Sequence, residues 1–155
     1  MGNYLIGSYT ARFDKSGRIK IPAKFQEAII EKYGNEVFIT SLTDQSVQIY
    51  PLSRWEKLTG LADKGLLQLK PQVRSFMLRV NVKGSYYEID SKGRVLISQA
   101  LREKADLGTE VEVVGMNDYL EIWNKDILEG VIEQNPLTDE DFNQISELKS
   151  KEDQE

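Results

Sequence analysis

The chain has 155 residues, 40% hydrophobic and 29% charged, enough apolar material for one compact domain or two small ones with a solvated surface. It has no cysteine and no histidine, which excludes disulfides, thiolate nucleophiles, the usual zinc-ligand sets and a Ser-His-Asp triad. The net charge of −5 is uneven: residues 133–155 hold eight acids and two lysines, leaving residues 1–132 with 18 basic and 17 acidic residues.

The first residues, Met1 to Arg12, lack the basic start, apolar stretch and small-residue cleavage site of a signal peptide. No run of about 18 apolar residues follows, so a cytoplasmic protein with no membrane partner is expected. Tyr9 to Phe13 alternates, with Tyr9, Ala11 and Phe13 on one face and Thr10 and Arg12 on the other, the period of a half-buried strand. Asp14-Lys15-Ser16-Gly17 places Asp first and Gly fourth, as a type I turn prefers. The Asp side chain can bond turn N–H groups, and Gly17 can take positive φ beside a bulge. Arg18 to Ile21 alternates again, Ile19 and Ile21 inward, Arg18 and Lys20 outward, so 9–21 reads as a hairpin.

Pro22 suits the first position of a helix carrying Phe25, Ala28 and Ile29 on its apolar stripe, with Gly34 as its stop. Strands are expected at 36–41 and 46–50. Ser53 reads as an N-cap for a helix holding Trp55 and Leu58; Gly60 and Gly65 then break the chain. Pro71 opens another helix, with Val73, Phe76, Met77 and Val80 at i, i+3, i+4 and i+7, a face expected to pack two halves together. Asp90-Ser91-Lys92-Gly93 repeats the turn in a second hairpin. Ser98 caps a following helix that stops by Gly108, and strands at 110–115 and 119–123 lead to a helix after Asn124. From Thr138 a weak amphipathic helix on Phe142, Ile145 and Leu148 is expected, ending in a disordered KSKEDQE.

Much of this is one unit written twice. Residues 9–27 and 85–103 align at an offset of 76, matching Asp14 with Asp90, Gly17 with Gly93, Arg18 with Arg94 and Ile21 with Ile97. EVFIT at 36–40 then matches EVEVV at 110–114, and VQIYPLSRW at 47–55 resembles LEIWNKDIL at 120–128, with the register slipped by a few residues.

The turns Asp14-Lys15-Ser16-Gly17-Arg18 and Asp90-Ser91-Lys92-Gly93-Arg94, each followed by an aliphatic strand, resemble the paired D-x-x-x-R motifs of the MraZ family. Val47 to Glu56 and Leu107 to Trp123 are similar to later segments of that family, and the match covers about residues 4–128. The resemblance implies an α+β, mainly β fold: two AbrB-like swapped-hairpin units forming a small β-barrel core with flanking helices. The units would be 5–55 and 81–128, joined by helices at 56–80 and followed by an acidic tail at 129–155. It implies a DNA-binding transcriptional regulator, typically a repressor, of the division and cell-wall gene cluster and of its own promoter. It also implies a ring-shaped homo-oligomer on tandem double-stranded DNA repeats at the nucleoid. The family tends to have proline after the aliphatic strand in both units; Ser98 stands there in the second.

On this reading the DNA-contacting residues are Arg12, Lys15, Ser16, Arg18, Lys20, Lys92 and Arg94, with Asp14, Gly17, Asp90 and Gly93 shaping the turns. A two-stranded ribbon fits the major groove, and arginine can read guanine through two parallel hydrogen bonds. The first hairpin segment (9–27) has five basic residues and two acids; the second (85–103) has three of each, with Glu88 and Leu96 in the places of Arg12 and Lys20. The second hairpin therefore reads equally as a weak DNA contact or as packing. Trp55 and Trp123 follow apolar strands without basic neighbours and read as core or interface anchors. Asp14 and Asp90 read as turn caps, so no enzyme and no cofactor is expected. The alternative function is a non-enzymatic protein-interaction module of antitoxin or scaffold type.

Overall fold

The computed structural model describes residues 4–60 and 70–154. Gly65, expected to break the chain, lies outside them. The first half runs β1 (Ser8–Arg12), β2 (Arg18–Lys20), α1 (Ala23–Tyr33), β3 (Glu36–Thr40), β4 (Val47–Pro51) and α2 (Leu52–Thr59). Helix α3 (Pro71–Lys83) leads to the second half: β5 (Ser85–Glu88), β6 (Arg94–Leu96), α4 (Gln99–Lys104), β7 (Glu110–Gly115) and β8 (Leu120–Trp123). Two helices, α5 (Lys125–Gln134) and α6 (Asp139–Gln154), end the chain. Residues 1–125 form one compact unit and 126–155 another. No helix among the described residues is long and apolar enough to cross a membrane.

The fold is α+β, mainly β, and both turns form where expected, but the arms of each hairpin part company. Asp14 N donates to Arg18 O and Gly17 N to Asp14 O, and a single bridge, Phe13 to Ile19, follows. Beyond it β1 pairs with β7 and β2 with β6. The second turn behaves alike: Asp90 N donates to Arg94 O, β5 pairs with β3, and β6 returns to β2. The alternation alone read as two local hairpins; each half instead exchanges its arms with the other, as the swapped-hairpin resemblance implied. The described strands make an open six-stranded antiparallel sheet, β1-β7-β8-β4-β3-β5, and a two-stranded ribbon, β2-β6. Among the described strands the expected small β-barrel core is not closed, because β1 and β5 sit at opposite edges of the sheet.

The pairings obey a pseudo-two-fold. Tyr9 lies opposite Val113, and its repeat counterpart Ser85 lies opposite Ile39. On the axis, Ile19 faces its own counterpart Val95, and Gln48 faces Glu121. Alternation then puts Ile19 and Val95 inside, with Ile21 and Ile97 just beyond their strands. They meet Phe25 and Ile29 of α1, Leu101 of α4, and Val37, Ile39, Val111, Val113 and Ile122 of the sheet. Each such side chain contributes about 1.5–3 kcal/mol by burial. Ala11 and Phe13 pack against this core as expected, and Tyr9 meets Phe25 edge-on at 5.2 Å.

Helix boundaries differ from expectation in small ways. Pro22 is the N-cap of α1 rather than its first residue, and Gly34 closes it at φ 90°. Pro51, not Ser53, precedes α2, so that helix has no side-chain cap. Ser98 does cap α4, its Oγ accepting from Leu101 N at 3.2 Å, so serine replaces proline there by satisfying an end donor. Helix α4 ends at Lys104, well before Gly108.

Helix α3 buries only Val80 of its expected stripe. It packs on the first half: Thr40 Oγ1 donates to Val80 O at 3.0 Å and Arg79 Nε to Leu42 O at 3.1 Å. Val80 joins Tyr50 and Trp55 in a second cluster, in which Trp55 stacks on Phe38 at 4.8 Å. Phe76 meets Trp55 in a tilted contact at 6.4 Å yet stays exposed, as do Leu78 and Val82.

In the C-terminal unit, α6 runs through the segment expected to be disordered, to Gln154. Thr138 and Asp141 cap it reciprocally: Asp141 N donates to Thr138 Oγ1 and Thr138 N to Asp141 Oδ2. Asp139, Glu140 and Asp141 in its first turn and Lys151 in its last suit the helix dipole. Phe142, Ile145 and Leu148 are all exposed.

Candidate nucleic-acid interface

The two turns owe their shape to one carboxylate and one glycine each. Asp14 Oδ1 accepts from Ser16 N at 2.9 Å, Ser16 Oγ at 2.6 Å and Arg18 N at 3.0 Å. Asp90 Oδ1 accepts from Lys92 N at 2.9 Å and Arg94 N at 2.8 Å. These bonds favour the ionised form. The Ser16 hydroxyl is the main cause of the lowered Asp14 pKa, and the Arg94 backbone N–H that of the lowered Asp90 pKa. That direction is opposite to what a general acid needs. Gly17 and Gly93 follow at φ 83° and 78°, a left-handed conformation that side chains resist.

The exchanged arms build a ribbon that neither half makes alone. In β2-β6, Arg18 lies opposite Leu96 and Lys20 opposite Arg94. These four alternate with the buried Ile19 and Val95, so all four share the outer face. Lys15 and Ser16 stand at one turn and Lys92 at the other. Two like charges directly opposite, Lys20 and Arg94, repel. Arg94 is turned aside: its Nε donates to Asp90 Oδ2 at 3.0 Å and its Nη1 to Asp14 Oδ2 at 3.4 Å. Arg18 meets no carboxylate among the described residues; its Nη1 donates only to Ser16 Oγ, at 3.1 Å. Lys15, Lys20 and Lys92 likewise make no ion pair among the described residues. Arg12 stands apart from this ribbon, in β1, bound to Glu110 at 3.0 Å.

One neighbour of the first turn escaped the sequence reading. Arg102, from α4, lies over the Phe13 ring at 5.8 Å and against Gly17. The signal available was the repeat itself, since Gln26 at the same offset occupies the same place beneath Gly93. Trp55 and Trp123 are buried, in keeping with anchoring roles.

A protein-family model described as "MraZ protein, putative antitoxin-like" matches residues 4–65 and 83–149. A protein of Acidobacterium capsulatum named "Transcriptional regulator MraZ" is 40% identical over 142 residues, 92% of this chain and 97% of its own length. One of the same name from Koribacter versatilis is 35% identical over 143 residues, with the same coverage. Another from Finegoldia magna is 38% identical over 122 residues, 78% of this chain and 81% of its own.

Proposed function

Since the chain belongs to the MraZ family, we propose that it is a transcriptional regulator that binds double-stranded promoter DNA through its β2-β6 ribbon. The observation that carries this reading is the ribbon's outer face. Arg18 and Lys20 project there without a carboxylate partner among the described residues, on a two-stranded element of the width the major groove accepts. Lys15, Ser16 and Lys92 flank it at the turns. Arg18 is the base-reading candidate, and the lysines and Ser16 suit phosphate contacts, which position but do not specify. Arg94 is the weaker contact, because two aspartates already hold it. Arg12, held by Glu110 on another sheet, is at most a peripheral phosphate contact.

One ribbon makes few base contacts. The reading therefore includes a ring-shaped homo-oligomer whose ribbons engage tandem repeats jointly. The exposed apolar residues of α3, Phe76, Leu78 and Val82, support such assembly. As the family resemblance implies, we place its action at the division and cell-wall gene cluster and its own promoter, as a repressor in the cytoplasm at the nucleoid. The residue ranges 5–55 and 81–128 are its two interlocked repeats.

The test is selection of binding sites from random duplex DNA, followed by titration of single and tandem copies of the selected site. Joined contacts raise avidity by about 10²–10⁴. Equal affinity for one copy and for an array, or a stable monomer in light scattering, overturns joint binding. Failure to retard any promoter fragment overturns the DNA reading and favours a protein-interaction module.

A further inference from the structure

The two turns are related by the pseudo-two-fold, yet the side chains wedged beneath them differ. Under the second turn, Gln26 Nε2 donates to Ile21 O at 2.6 Å, and a Cβ on Gly93 would lie 2.1 Å from that amide. Under the first, Arg102 Nε donates to Ile97 O at 3.1 Å, and a Cβ on Gly17 would lie 2.9 Å from Nη2. The two side chains do one structural job, bracing a glycine turn against the start of the other half's helix. Only one of them also carries a charge.

That charge is fixed in place but not consumed. The Nε bond to Ile97 O and the face of Phe13 set the plane of the guanidinium. Both terminal nitrogens lack a hydrogen-bond acceptor among the described residues, and no ion pair to Arg102 occurs among them. The neighbouring Glu103 accepts instead from Gln99 Nε2, at 2.8 Å. The guanidinium edge lies against Gly17, the residue between Ser16 and Arg18. A planar cation with free paired donors suits a phosphate.

We infer that Arg102 is a ligand for the DNA phosphodiester backbone, lent by the second half of the chain to the tip of the first hairpin. The inference rests on the DNA-binding reading above. It makes the two turns of one chain unequal twice over. The first turn gains Arg102 while Arg18 meets no carboxylate among the described residues; the second has the neutral Gln26 while Arg94 is neutralised. Each chain then grips the backbone more strongly at its first turn than at its second, where Lys92 remains.

The experiment is a salt titration of binding to random-sequence duplex DNA, which needs no knowledge of the operator. Three variants of the full chain are compared: Arg102→Gln, Arg102→Lys and Gln26→Arg. Each phosphate contact contributes about 0.9 to the slope of log K against log salt, which at 0.1 M is roughly eightfold in affinity. Arg102→Gln copies the residue that already braces the other turn. It should lose that slope and that affinity, equally on selected and random DNA, with an unchanged unfolding midpoint. Arg102→Lys should keep the slope. Gln26→Arg should add to it by the same amount, and this variant together with Arg102→Lys carries the test if Arg102→Gln fails to fold. Wild-type binding with the slope unmoved in Arg102→Gln, or lost equally in Arg102→Lys, overturns the inference alone. Absence of wild-type binding at low salt overturns the DNA reading and the inference with it.

Discussion

Arg94 reaches across the pseudo-two-fold to Asp14, Nη1 to Oδ2 at 3.4 Å, whereas Arg18 makes no matching bond to Asp90 among the described residues. The two arginines occupy the same position of the repeated unit, so the difference lies in what surrounds them. Arg18→Ala should therefore weaken operator binding more than Arg94→Ala. A lost bidentate base contact costs about 1–3 kcal/mol, roughly 5- to 150-fold in affinity. Arg94→Ala removes partly exposed ion pairs, which solvent screens and which add little to folding. Titrations of both variants, with assembly state checked, decide the order. Equal losses, or a larger loss for Arg94→Ala, would show that the bound state frees Arg94 from its aspartates.

Two glycines are fixed by close approach rather than by backbone angle. A Cβ on Gly115 would lie 2.3 Å from Leu5 O, where Leu5 and Asn117 exchange backbone bonds of 2.8 and 2.9 Å. A Cβ on Gly84 would lie 2.4 Å from Val80 O and 2.3 Å from the Phe38 ring. Backbone atoms cannot swing away as a side-chain end can. Gly115→Ala and Gly84→Ala should each cost about 1–3 kcal/mol in urea denaturation. Gly60→Ala, in the right-handed helical region with nothing within 4 Å, should instead gain about 0.4–1 kcal/mol.

Acid should loosen both turns. Asp14 and Asp90 are held below their ordinary value of 3.8, so their bonds stabilise the fold above that value. The contribution is lost as pH falls through the lower folded values. Asp14→Asn and Asp90→Asn should lower the unfolding midpoint near neutrality and flatten its decline below about pH 4. An acid limb as steep in the double variant as in the parent would assign that decline to other carboxylates.

Removing the last helix should raise non-specific DNA affinity. Residues 135–155 carry seven acids and two lysines, a net −5. The described residues among them include no buried one, and 1–125 is a compact unit without them. Non-specific binding comes from phosphate neutralisation, so losing a local anionic cloud should strengthen it. The gain should be largest at low salt, where the Debye length is about 30 Å. A 1–134 chain is compared with the full one on operator and random DNA, and the ratio of specific to random affinity should fall. Loss of assembly on truncation would instead make Phe142, Ile145 and Leu148 part of an interface.

The sequence by itself determined the local pieces. Alternation marked Ile19 and Ile21 as inward, the Asp and Gly of each turn set its geometry, and the offset of 76 revealed the duplication that pairs them with Val95 and Ile97. These are short-range facts, governed by side-chain period and by what a four-residue turn permits. Pairing partners are not short-range. Nothing in Arg18 to Lys20 says whether the strand across from it is β1 or β6, because each offers a similar alternating apolar edge. The family resemblance implied swapped arms, but the tertiary structure decided the partners: it placed Lys20 opposite Arg94, sent Arg94 to Asp14 and moved Arg12 to another sheet. It alone brought Arg102 beneath Gly17, since that contact joins residues 85 positions apart through the burial of one shared core.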